Sequence, residues 1–114
     1  MNELIGLETP PTQTDSSRIC VHVKLIGVLA SAAGTRQIEL TLNAQQTVSG
    51  LVLKLLETIG KRQFEEFLVD SGTKDPRPNV IILLNEQDCN LSGGLKAIVQ
   101  PDTKVTIIPV AHGG

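Results

Sequence analysis

The chain ends in Ala111-His112-Gly113-Gly114, and its only thiols and imidazoles are Cys20, Cys89, His22 and His112. These are the residues whose chemistry stands out. The cysteines form no CxxC pair and the two histidines are unclustered, so the spacing of a metal centre is missing. No Ser-His-Asp or Cys-His arrangement offers an activated nucleophile. His112 stands beside the terminal glycines with nothing near it to orient an imidazole, which makes it a solvated tail residue. Cys20 falls in an alternating run that reads as a strand, and Cys89 in a polar turn. The chain end offers one further group, the C-terminal carboxylate. A carboxylate that must enter another protein's active site needs a thin lead, and glycine, without a Cβ, takes backbone angles closed to other residues. Two glycines in a row, Gly113 and Gly114, would let such a backbone thread a narrow channel. A glycine pair at a chain end, at ~7% each, arises by chance about once in 200 chains. The pair would also serve as an ordinary frayed end, and residue types alone leave both readings open.

Composition narrows the classes. A chain of 114 residues reads as one domain, and 40% hydrophobic with 19% charged residues is normal for a globular protein with a buried core. The aromatics are Phe64 and Phe67 alone, so Ile, Val and Leu must build that core. Base stacking on aromatic platforms is nearly excluded, and with a net charge of −2 and no basic patch, direct nucleic-acid binding is not expected. No apolar run reaches the length of a membrane span, and Met1-Asn2-Glu3-Leu4 lacks the basic and apolar regions of a signal peptide. A cytoplasmic location is expected, where a Cys20–Cys89 disulfide would not persist.

The elements that must position the tail follow from periodicity. Residues 1–17, with Thr9-Pro10-Pro11-Thr12 and Asp15-Ser16-Ser17, read as a flexible N-terminal extension. Ile19, Val21, Val23 and Leu25 alternate with Cys20, His22 and Lys24, which predicts a strand with one buried face. Ser31 to Thr35 reads as a loop. Ile38, Leu40 and Leu42 alternate again, and the two strands are expected to form a hairpin. Thr47 then caps a helix carrying Val48, Leu51 or Val52, Leu55 and Ile59, stopped by Gly60. A shorter helix over Gln63 to Val69 would bury Phe64, Phe67 and Leu68. Asp70 to Asn79 is a loop. Val80 to Leu84, apolar on both faces, predicts a central strand. Asn85 to Asp88 is a turn, Leu91 to Asp102 is irregular, and Val105, Ile107 and Ile108 form a last strand ended by Pro109. The order predicts an α+β fold, one mixed sheet packed on one main helix, over residues 18–110. Residues 111–114 would form a flexible Gly-Gly tail, and the five residues after Pro109 reach no more than about 17 Å beyond the sheet.

Three stretches carry a resemblance. They are Ala33-Gly34-Thr35-Arg36-Gln37-Ile38-Glu39-Leu40, then Leu84-Asn85-Glu86-Gln87-Asp88 with Leu91-Ser92-Gly93-Gly94-Leu95, then Asp102 to Val110 leading to Gly113-Gly114. From about Ile19 to Gly114 the chain resembles the ubiquitin-like sulfur carriers and small modifiers. That family comprises molybdopterin synthase small subunits, the thiamine-pathway carriers, the ubiquitin-related modifier and the small archaeal modifiers. The terminal His112-Gly113-Gly114 is similar to the ubiquitin-related modifier branch. Ile108-Pro109-Val110 lacks the aromatic and the double proline of many molybdopterin synthase small subunits.

The resemblance implies a β-grasp (ubiquitin-like) fold and a carrier rather than an enzyme. It implies an adenylating partner of the ubiquitin-activating type, which uses ATP to activate the carboxylate of Gly114. It implies conversion to a thiocarboxylate and sulfur transfer to an acceptor enzyme, for molybdopterin or tRNA thiolation, or joining of Gly114 to lysines of target proteins. No bound cofactor and no metal are expected. The sheet face carrying Leu83, Ile81 and Ile108 is the expected docking surface, because it lies beside the tail. The alternative is a β-grasp interaction module whose tail is never activated.

Overall fold

A computed structural model describes residues 17–110. Residues 1–16 and 111–114, and with them Gly113, Gly114 and nearly all of the N-terminal extension, lie outside the described residues.

Strand β1 (Arg18–Leu25) and strand β2 (Gln37–Asn43) pair antiparallel, from Arg18 opposite Asn43 to Lys24 opposite Gln37. The period of two sends Val21, Val23, Leu25, Leu40 and Leu42 into the core, while His22, Lys24, Glu39 and Thr41 point to the other face. Their connection differs from the expected loop. Val28–Ala33 form helix α1, which buries Leu29 and Ala33. Six residues are too few to display a helical period in sequence. The helix is closed by Gly34 at φ 83, whose N–H donates to the Ala30 carbonyl.

Helix α2 (Val48–Ile59) matches its sequence signals. The Thr47 hydroxyl accepts from the Gly50 N–H at 3.1 Å, and Gly60 at φ 63 donates its N–H to Leu56. Val48, Leu51, Val52 and Leu55 are buried against the sheet. Helix α3 (Arg62–Leu68) buries Phe64 and Leu68, which are one turn apart. Phe67 is 37% exposed, contrary to the expectation that it is buried. The narrow stripe that a short marginal helix turns to the core is taken by Phe64 and Leu68, and Phe67 falls to its side.

Strand β3 (Val80–Leu84) leads through a two-residue turn, Asn85 at φ 50 and Glu86 at φ 73, into the short strand β4 (Gln87–Asp88). The expected four-residue turn is therefore half turn and half strand. Two 3₁₀ turns, Cys89–Ser92 and Gly94–Lys96, precede strand β5 (Lys104–Pro109). The sheet order is β2-β1-β5-β3-β4. Strand β5 runs parallel to β1 and antiparallel to β3, so the last strand, not Val80–Leu84, takes the middle of the sheet. β3 is an interior strand covered on the side of Val80 and Ile82. This mixed sheet with its helices on one face is the β-grasp architecture. No helix among the described residues is long and apolar enough to cross a membrane.

Candidate functional site: the root of the C-terminal tail

The described residues end at Val110, just beyond the central strand β5. Pro109 pairs with Val80 and ends the strand, because a proline has no N–H to continue the ladder. One more bond holds the chain beyond it: the Val110 N–H donates to the Asn79 carbonyl at 2.9 Å. The Asn79 side-chain amide in turn donates to the Glu66 carbonyl on α3 at 3.3 Å. Asn79 thus ties the root of the tail to the helix layer. In sequence Asn79 is marked only as the end of a loop, between Pro76, Pro78 and a strand, because its partners Glu66 and Val110 are distant along the chain.

The loop that delivers Asn79 is ordered by its own acids. Asp70 accepts from the N–H groups of Gly72 and Thr73 and from the Thr73 hydroxyl, bonds that favour the carboxylate and hold its pKa below the usual 3.8. The Arg77 guanidinium and N–H on Asp75 lower that carboxyl to about 2. Lys74 pairs with Glu65 of α3 at the same corner.

Strand pairing gathers the expected docking residues on the face opposite the helices. Ile81 lies opposite Ile108, and Leu83 opposite Thr106. Ile81 is 41% exposed, while Leu83 and Ile108 are half-buried. The same face continues across β1 and β2 with Lys24, His22 and Glu39, where the His22 Nδ1 stands 3.2 Å from a Glu39 carboxylate oxygen. Asp102, Glu86 and Lys104 line the shallow concavity there, so its charges are mixed. The face is apolar beside the root of the tail and polar away from it.

The remaining reactive groups are dispersed. Among the described residues no cluster of three or more His, Cys, Asp or Glu could hold a metal ion. Cys20 is half-buried and Cys89 buried, both as free thiols. Burial, with Asp88 beside it, pushes the Cys89 thiol pKa up, away from the reactive thiolate.

Comparison with known proteins agrees with this architecture. A ubiquitin-related modifier homolog of Drosophila simulans is 35% identical over 67% of this chain and 74% of its own length. One of Dictyostelium discoideum is 28% identical over 82% of this chain and 98% of its own. The crystal structure of SAMP1 from Haloferax volcanii shares the fold, with a TM-score of 0.70 at 18% identity over 83% of this chain and 99% of that one. The profile of the Urm1 (ubiquitin related modifier) family matches residues 20–114. The chain belongs to the ubiquitin-related modifier family, ubiquitin-like proteins that act as modifiers and sulfur carriers.

Proposed function

We propose that Gly114 is the residue of this carrier that is activated, and that Gly113 threads it into the activating enzyme. The observation that carries the reading is the end of β5: the middle strand of the sheet ends at Pro109, Val110 is held by Asn79, and Ala111-His112-Gly113-Gly114 follows in sequence.

A carboxylate is a poor electrophile. An adenylating enzyme joins it to the α-phosphate of ATP with departure of pyrophosphate, giving an acyl adenylate. Hydrosulfide-level sulfur then attacks the acyl carbon, the C–O bond to AMP breaks, and a thiocarboxylate is left on Gly114. The sulfur passes to an acceptor such as a tRNA uridine or a molybdopterin precursor; alternatively a lysine amine of a target protein takes the acyl group. The carrier supplies position, and its partner supplies the chemistry. Ordering the tail costs roughly 1–2 kcal/mol per residue, so the body must contribute docking surface. Ile81, Leu83 and Ile108 are the residues we assign to it.

The test is the intact mass after incubation with ATP, the cognate activating enzyme and a sulfur donor. Replacement of one Gly114 carboxyl oxygen by sulfur is the expected product, and one residue appended after Gly114 should abolish it. Wild-type protein left unchanged by an enzyme of proven activity would favour a binding module whose tail is never activated.

A further inference from the structure

The sheet face covers only one side of the tail root. We propose that Phe67, with Val28, forms a second grip for the activating enzyme on the helix side of that root; the inference rests on the carrier reading above.

Two chains of contacts place these residues. The Glu66 carbonyl accepts from the Asn79 amide, and the Asn79 carbonyl accepts from Val110. Phe67 is the next residue after Glu66. On the neighbouring element, Ile26 donates its N–H to the Ile107 carbonyl at 3.2 Å, and Gly27 lies so near Pro109 that a Cβ on it would stand 3.5 Å from the proline ring. Val28 follows immediately, at the start of α1. α1 and α3 pack against each other through their buried sides. Val28 is 46% exposed and Phe67 37% exposed. Folding has therefore left two apolar side chains exposed on segments whose neighbouring residues, Glu66 and Gly27, reach Asn79 and Pro109, and one of the two is half of the chain's aromatic complement.

Reach identifies the occupant. Four residues separate Val110 from the end of Gly114, and four extended residues span at most about 14 Å. Any protein that closes an active-site groove around Gly114 brings the rim of that groove within this distance of Val110. That rim meets the body of the carrier beside Phe67 and Val28 as well as beside Ile81 and Ile108. An exposed phenylalanine there fits an apolar pocket on such a rim, since buried aromatic anchors dominate interface energetics. Leu53 is more exposed than either residue, at 57%. It belongs to α2, which no hydrogen bond among the described residues ties to the end of β5.

The experiment measures ATP–pyrophosphate exchange by the cognate activating enzyme as a function of carrier concentration, for the full chain and the variants Phe67→Ala, Val28→Ser, Phe67→Leu and Leu53→Ala. Unfolding midpoints establish that each variant is folded, and Val28→Ser serves should Phe67→Ala fail to fold. The expected result is a KM for the carrier raised about tenfold or more by Phe67→Ala, raised by Val28→Ser, and restored largely by Phe67→Leu. The kcat should stay within about twofold, and Leu53→Ala should behave as wild type. An unchanged KM in folded Phe67→Ala and Val28→Ser overturns the second grip while leaving the carrier reading intact. Absence of exchange with the wild-type chain overturns both.

Discussion

Ile81 on β3 and Ile108 on β5 stand directly opposite each other in the antiparallel ladder, on the sheet face turned away from the helices. Side chains so paired have Cβ atoms about 5 Å apart. The two therefore form one apolar patch next to the strand end from which the tail departs.

Replacing Ile81 by Lys places a charge in that patch at a position already 41% exposed. Stability should fall by no more than about 1 kcal/mol. The KM for activation should rise about tenfold, as truncation of a docking anchor does. Steady-state adenylation with a parallel urea titration separates the two effects. An unchanged KM would remove the sheet face from the docking surface.

The core beneath α2 should behave in the opposite way. Leu55 is fully buried, so Leu55→Ala is expected to cost 2–5 kcal/mol, roughly the range for such cavities. The exposed Leu53→Ala should stay within about 0.5 kcal/mol. Chemical denaturation of both variants checks the helix orientation.

Thr47→Ala removes the hydroxyl that accepts from Gly50 and should destabilise the fold by about 1 kcal/mol. Thr47→Ser keeps the oxygen and should recover most of that. If serine were as costly as alanine, the cap would not be the cause.

The loop that holds Asn79 should loosen in acid. Asp70 and Asp75 have folded pKa values below the ordinary 3.8, Asp75 at about 2. The carboxylates' contribution is therefore complete above pH 3.8 and is lost as pH falls toward about 2. Both groups are half-buried and bond within their own loop, so the effect is local. NMR amide resonances of Gly72, Thr73 and Arg77 should titrate through this window, and Asp75→Asn should remove the change at Arg77.

Alkylation under native conditions should distinguish the thiols. Half-buried Cys20 reacts first; Cys89, buried and with its pKa raised, reacts only slowly. Peptide mapping after iodoacetamide reads the order. Activation should survive modification of Cys20, whereas its loss would give that thiol a role in the carrier.

Helix α2 was legible because its signals are local: Thr47, the apolar residues one turn apart and Gly60 act within their own segment. The alternation in β1 and β2 was equally plain, since strand period and burial agree along each strand. A chain end of two glycines after a proline-terminated strand left a frayed end and a reacting tail equally open, and only the family resemblance favoured the tail. Other features depend on partners far apart in sequence. Six residues do not announce α1 until Leu29 and Ala33 have a core to enter. Phe67 could not be told from Phe64 until the orientation of α3 against α1 chose which ring was covered. The run Val80 to Leu84 showed an interior strand, but the middle position went to β5 because its parallel pairing with β1 is decided only when the whole chain closes. Asn79 acquired its role in the same way, by hydrogen bonds to Glu66 and Val110. Local propensity and periodicity set most of the elements; tertiary packing decided which side chains surround the end of β5, because burial is a property of the assembled layers.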